Sequence, residues 1–532
     1  MTAASIDHQA DYQVQAKRLL QGIVTAPTRK DRLHVQCLAL IAFNHRGIKL
    51  HDGLVKAGAA TVLTRCLQKA FYDEAEWEEL SQLCELLQMV FRCSDERACE
   101  CFEKMGAELA CIIFTILMED SFKSQALTLS CPFRVLLERL AGLSVSLIKT
   151  SRKEHLVRLL QQIFRGANLF SMLISVEAMQ ILAGFTTHPE SKRVAMEYPG
   201  LVDDVLAMVL EPHVVDTMYL SVAIFFRNLA WDSRNKTQLV DKKEFIKVLF
   251  LLWRLGDNVT RKEVMRTVWQ LCSVETNKSA LIKYGNGAIL HALVWAANQE
   301  ELRCESIETL LCLAGQGTAQ RIVQHTGIIQ ILASAGTTVG DHRLIVAAAQ
   351  SLKRLATYIT IGESCYQALL DALMSIAAST DANVRFWAAK AFVEQTKMST
   401  NGFYVARMAR VMQTITNLAQ DASPSVKACA IEALLNLAAD TANAKRLAMS
   451  AEVLRAFVAN ATGDGDCEAS NKAKRDSVQA ILTLASHKSS KGRVAKQIGL
   501  VATLSKYGVS LDVDSELRNA ALHGVIVLAP LM

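Results

Sequence analysis

The sequence predicts an all-α fold: a right-handed α-solenoid, or superhelix, of roughly ten stacked helical repeats. Three observations carry this expectation. Leu229, Leu271, Leu313 and Leu355 stand 42 residues apart, each near the end of an apolar helical run. The composition suits helix packing, with 51% hydrophobic residues, only 6% aromatics and seven prolines in 532 residues. No sustained apolar–polar alternation marks a strand.

Taken in chain order, residues 1–28 read as a polar segment with a first helix, and 29–532 as a single solenoid. Residues 120–174 break the period and hold irregular repeats, with a helix expected from Glu154 to Phe164. The regular runs follow: Phe226-Arg227-Asn228-Leu229-Ala230, Val268-Trp269-Gln270-Leu271-Cys272, Leu311-Cys312-Leu313-Ala314 and Lys353-Arg354-Leu355-Ala356. After a step of 40 to Gln395 the series resumes at Leu437. One such unit cannot bury its apolar face alone, so neighbours must stack. Pro189, Pro199, Pro212 and Pro424 fall where helices should break.

Between the runs a common grammar repeats. A polar break often holds Asn-Lys, as in Asn235-Lys236 and Asn277-Lys278, and this Asn is expected to cap the next helix through its side-chain oxygen. A glycine then ends the short helix, at Gly58, Gly106, Gly200, Gly327 and Gly499. Residues 460–477 read as a lengthened loop before the last long helix. Asp464, Asp466 and Glu468 lie there, but the glycine is misplaced for an EF-hand and no distal Glu closes a calcium site.

This grammar resembles the armadillo repeat: short helix, glycine, second helix, and a long third helix. The best match is Ala433-Leu434-Leu435-Asn436-Leu437-Ala438-Ala439, with Asn443 beyond. Other units are HEAT-like. Asp381-Ala382-Asn383-Val384-Arg385 and Asp514-Ser515-Glu516-Leu517-Arg518 resemble the opening of the HEAT second helix, and Ser423-Pro424-Ser425-Val426-Lys427 is a looser version. The resemblance to the armadillo/HEAT superfamily is good from Ser175 to the C-terminus and partial from Arg29 to Glu119. It implies fold more than function, because the superfamily hosts unrelated partners.

The resemblance also implies where a ligand sits, since third helices of armadillo solenoids line a concave groove. The slot before the repeated Leu holds Asn228, Gln270, Cys312, Arg354, Glu394 and Asn436. One helical turn earlier stand Ile224, Arg266, Glu308, Gln350, Lys390 and Glu432. The row is mostly polar. It reads either as a protein-binding groove or as solvated positions whose charges offset one another, with Arg266–Glu308 and Lys390–Glu432 as the expected pairs. Its alternating signs would suit a segment carrying both charges. Importin alpha has Trp in the earlier slot. Here Trp269 and Trp387 lie elsewhere, Trp269 on the expected core side, which disfavours a general binder of basic import peptides.

Other functions find little support. A net charge of +6 over this length gives no reason to infer nucleic acid. The densest basic stretch, His487 to Lys496, reads as a solvated turn and helix start. The fourteen cysteines show no paired CxxC. Cys93, Cys99 and Cys101, with Cys84 before them, do not match a zinc spacing and read as reduced core thiols. No phosphate loop, nucleophile elbow or His-Glu-x-x-His is present, and His51-Asp52 reads as a polar turn. Gly-x-Gly appears only as isolated turns. No cofactor or metal and no enzymatic activity is expected. The N-terminus lacks the pattern of a secretory signal, and no apolar run is long enough for membrane insertion, so an intracellular, cytoplasmic protein is expected, with the nucleus left open. The expected function is a scaffold or adaptor that holds an extended or helical protein segment in its groove. The alternatives are a structural subunit packed permanently in a larger assembly, and a nuclear-transport or chaperone-like adaptor.

Overall fold

A computed structural model of the chain describes residues 57–91, 108–117, 153–165, 169–212, 216–509 and 515–528, with isolated positions within 14–39 and 133–136. Within 216–509 it leaves out 339, 363–364, 464–466, 489 and 497–498. Among the described residues every regular element is a helix. The fold is an all-α solenoid of helical repeats. By its contacts the chain divides into two compact units, Met1–Leu271 and Cys272–Met532, where the sequence reading draws 29–532 as one solenoid.

The long third helices carry the architecture. In the first unit they are α1 (Leu169–Phe185), α2 (Tyr219–Trp231) and α3 (Asn258–Leu271). In the second they are α4 (Arg303–Leu313), α5 (His342–Ala356), α6 (Ala382–Lys397), α7 (Pro424–Ala439), α8 (Glu468–Ser486) and α9 (Ser515–Leu528). Within each unit, successive long helices pack side by side. A short helix and a second helix precede most of them, as Asn235–Asp241 and Phe245–Leu255 precede α3. The expected helix over 154–164 is present as Lys153–Arg165.

Each sequence signal has a physical counterpart. Pro424 opens α7, where its missing N–H is not needed, and Asp381 caps α6 by accepting the Asn383 N–H at 2.7 Å. Gly200 and Gly327 take φ of 79° and 92° directly before second helices, a left-handed conformation that a β-carbon would penalise. The repeated leucines are core. Leu229, Leu271, Leu313, Leu355 and Leu437 are at most 1% exposed. Burying each contributes about 1.5–3 kcal/mol.

The polar residues beside them answer a different need. The last carbonyls of a helix have no partner within it. Gln395, fully buried in the leucine slot, donates its amide to the Ala356 carbonyl at the end of α5. Asn401 donates to the Ile359 carbonyl at 2.9 Å and accepts the Ile361 N–H at 2.8 Å. Here no short first helix is described between α5 and Tyr366–Ala377, and Asn401 ties down the turn backbone at Ile359 and Ile361. This local shortening explains the step of 40.

Three expectations are corrected. Asn235 and Asn277 do not cap their helices, because each already lies inside one. The residues preceding them, Arg234 and Val274, make no side-chain cap, and the Asn235 amide returns to the Leu229 carbonyl at 3.2 Å. The segment 460–477 is mostly helix: Ala451–Thr462 runs into it, and α8 begins at Glu468 behind Cys467, whose sulfur accepts the Ser470 N–H. Its polar residues form the exposed first half of a 19-residue helix rather than a loop. Trp269 is 42% exposed, not on the core side. Gly106, Cys93, Cys99, Cys101, His51, Asp52, Asp464, Asp466 and Asp514 lie outside the described residues.

Two substitutions test this packing. Leu437→Ala should cost about 2–5 kcal/mol, read from urea unfolding, and should speed hydrogen exchange first in α7 and its neighbours. Gln395→Leu restores the leucine of the other repeats. It should nonetheless destabilise by about 1–3 kcal/mol, because it strands the Ala356 carbonyl. An unchanged or raised urea midpoint would show that the amide serves no such bond.

Candidate functional site: the exposed face of the long helices

One side of each long helix faces the core, and a narrow stripe on the other side remains accessible. On α2 the stripe runs through Ile224, Arg227 and Trp231, positions that i, i+3 and i+7 spacing places on one face. On α3 it runs through Lys262, Arg266 and Trp269. In the second unit it includes Glu308, Gln350, Lys353, Lys390, Glu394 and Glu432.

The two rows expected from the sequence separate here. The earlier slot is accessible: Arg266 is exposed, and Glu308, Gln350, Lys390 and Glu432 are half-buried. The later slot is largely used by the fold. Asn228 is buried and donates to the Ala183 carbonyl at the end of α1, at 3.0 Å. Gln270 is buried too. Arg354 is exposed but donates to the Leu311 carbonyl of α4 at 2.8 Å. Asn436 is half-buried and reaches Thr396 Oγ1 on α6 at 3.3 Å. Glu394 receives Lys353 at 3.5 Å. Asn228, Arg354, Glu394 and Asn436 tie one long helix to the previous or next one, a role that spacing within a single helix does not reveal.

Charges on the stripe are offset, but by other partners than the expected ones. Arg266 meets Glu263 one turn back in its own helix at 2.9 Å, and the same carboxylate takes Arg227 of α2 at 2.6 Å. Arg227 also donates to Asn228 Oδ1 at 2.9 Å. A polar chain therefore crosses α1, α2 and α3. In the second unit Arg343 clamps Glu308 with two bonds, one of 2.6 Å. Glu432 is shared by Lys472 at 2.5 Å and Lys397 at 3.6 Å. Lys390 instead sits over the rings of Phe386 and Trp387, at 4.7 and 5.4 Å. Off the stripe, the HEAT-like Arg385 holds Asp421 of the following repeat with bonds of 2.6 and 3.0 Å.

The sequence reading missed the aromatic members of this face. Trp231 is 64% exposed at the end of α2, with the Lys192 ammonium 6.0 Å from its ring centre. An exposed tryptophan two residues from a core leucine is the signal that was available.

The titratable groups show where chemistry is suppressed. Burial, with Glu308 beside it, pushes the Cys304 thiol up to about 11, so it is protonated at neutral pH. The nine cysteines among the described residues are free thiols. Among the described residues no group of three His, Cys, Asp or Glu is placed to hold a metal ion, and no helix is long and apolar enough to cross a membrane. His291 and His325 meet edge to face, with ring centres 4.2 Å apart. His325 Nδ1 lies 3.1 Å from the Thr326 carbonyl, and its Nε2 is buried without a hydrogen-bond partner.

No protein-family model and no curated protein matches this chain. Solved structures do. One, from a study of a phosphorylation switch controlling the interaction between cadherin and beta-catenin, aligns with 96% of this chain and 100% of its own. Its TM-score is 0.59 at 13% identity. An engineered protein aligns with 84% of this chain and 98% of its own, at TM-score 0.51 and 19% identity. UNC-45 from Drosophila melanogaster covers 98% of this chain over 69% of its own length, at TM-score 0.47 and 12% identity. At such identities the likeness is one of fold.

The histidine pair sets a pH dependence. Burial, and then the neighbouring His291, hold His325 below the ordinary histidine pKa of 6.5. The unfolded chain therefore binds this proton more readily than the folded one. The stability contributed is complete above the unfolded pKa and is lost as pH falls through the folded value. The urea midpoint should drop as pH is lowered from 8 toward 5, and His325→Gln should flatten that drop. Equal slopes in both proteins would remove His325 from the effect.

Proposed function

We propose that this chain is a non-enzymatic protein-interaction scaffold that holds an extended or helical segment of a partner along the exposed face of its long helices. The observation that carries the reading is the two-sidedness of those helices. Each from α2 to α7 buries an apolar side against its neighbours and leaves an accessible, mostly polar stripe, with aromatic residues added on α2, α3 and α6. A repeated stripe offers a segment regularly spaced contacts, which suits recognition better than catalysis. The groove positions are Asn228, Arg266 and Gln270 in the first unit, and Glu308, Gln350, Arg354, Lys390, Glu394, Glu432 and Asn436 in the second. Within this set, Arg266, Gln350, Arg354 and Lys390 make the direct contacts, while Asn228, Gln270 and Asn436 hold the helices that present them.

The solved structure tied to the cadherin and beta-catenin interaction supports a protein-binding role for a chain of this fold. Fourteen cysteines, with no disulfide among the nine described, support a reducing compartment, and we assign the protein to the cytoplasm. The reading needs no cofactor and no nucleic acid.

Affinity purification with mass spectrometry tests this reading. The Arg354→Glu/Lys390→Glu variant changes accessible side chains and gives up the exposed Arg354–Leu311 bond, so it should cost about 0.5–1.5 kcal/mol and leave the helical circular dichroism unchanged. It should lose the partner that the wild type captures. A Lys445→Glu/Arg446→Glu variant, altered on the exposed side of the short helix Thr441–Met449, should keep it. The opposite pattern would move the binding surface off the long helices.

A further inference from the structure

We infer that the stripe of α2 and α3, centred on Trp231 and Trp269, docks an acidic peptide segment that also carries an aromatic or aliphatic side chain. The inference rests on the scaffold reading and names both a site and a partner chemistry. Adjacent helices in the same register bring equivalent slots side by side. Arg227 and Trp269 are 42 apart and share a slot, as do Ile224 and Arg266. The face thus alternates ring and guanidinium across the two packed helices, with half-buried Ile224 in the slot of Arg266. Exposed tryptophan beside arginine is the combination that most often dominates binding energy at protein interfaces.

Charge selects the sign of the partner. Lys192, Arg227, Arg234 and Arg266 surround the patch, against Glu263, Asp232 and, near Arg234, an exposed Glu197 that pairs with Arg193 at 3.7 Å. Glu263 is buried beneath two arginines, and Asp232 is gripped by Arg234 at 2.8 Å. Glu263 and Asp232 do not face outward to receive a basic side chain, and the outward Glu197 is partnered by Arg193, so the cations outnumber the accessible carboxylates. One face of Trp231 already has a cation over it, so a lysine-rich segment would meet like charge there. Burial, opposed by Asp232 but reinforced by the like charge of Arg227, holds the Lys192 ammonium below the usual lysine range, and an arriving carboxylate relieves that cost. The tryptophan rings, at 64% and 42% exposure, supply the apolar contact that a purely acidic segment would not use.

The test is selection of a random peptide library displayed on phage against the full chain. Parallel selections use Trp231→Ala/Trp269→Ala, Trp231→Phe/Trp269→Phe and Arg354→Glu/Lys390→Glu. Both tryptophans are exposed, so circular dichroism of their variants should match the wild type. The expected result is binders rich in Asp and Glu with an aromatic or aliphatic residue. They should bind the alanine variant about tenfold or more weakly, keep most affinity for the phenylalanine variant, and weaken with added salt. Binders rich in Lys or Arg would overturn the inference, as would binders indifferent to the alanine variant. If those binders are lost with Arg354→Glu/Lys390→Glu, the scaffold reading survives with its site in the second unit. A library that yields no binder to the wild type would count against both.

Discussion

The structure depends on one constraint: the final carbonyls of each long helix must be satisfied where the next repeat packs over them. Leucine burial brings the helices together, but it says nothing about these oxygens. At the ends of α1, α4 and α5, donors from the following long helix supply bonds. Asn228 reaches Ala183, Arg354 reaches Leu311, and Gln395 reaches Ala356. Each bond is modest in net contribution, about 0.5–1.5 kcal/mol, yet a buried carbonyl left without one costs about 1–3 kcal/mol. The donors therefore help set the register at which these helices pack. Leucines alone would leave that register loose, since neighbouring leucines can exchange holes at little cost.

This constraint also shapes the exposed stripe. A buried side chain is not available to a ligand, so Asn228 and Gln270 are internal, whereas the exposed Arg354 has N–H donors beyond the one it gives Leu311. The earlier slot is freer, and its charges are partly neutralised within each unit. Glu263 collects two arginines, and Glu432 collects two lysines. Carboxylates end up beneath or between cations, while tryptophan and arginine remain outermost. The sign of the accessible charge in the first unit is thus a result of how the helices are tied together, and it bears directly on what can dock there.

Much of the fold was legible in the sequence, because periodic burial is a local property. The 42-residue leucine series, the glycine breaks at Gly58, Gly200, Gly327 and Gly499, and the helix near 154–164 map onto elements of the structure. What was not legible depends on partners about 40 positions away or on a small rotation. Gln395 reads as a slipped period, but it is a leucine slot converted to carbonyl capture where no short helix stands among the described residues. Asn235 looked like a cap and instead reaches back to the helix before it. Trp269 was assigned to the core because aromatic residues usually are, yet it lies one helical turn from the exposed Arg266. The polar start of α8 read as a loop because its exposed residues outnumber its buried ones. Of the candidate site, the accessible earlier slot followed from spacing, while the division of labour between the two slots did not.

The central claim is that partners meet the exposed face of the long helices. Hydroxyl-radical footprinting of the chain, alone and with a captured partner bound, measures side-chain accessibility directly. The account predicts protection of residues on the long-helix stripe, Trp231 and Trp269 or Phe386 and Trp387, with Tyr72, Leu255 and Met449 unchanged. Protection confined to Tyr72, Leu255 or Met449, which are exposed away from that stripe, would contradict it.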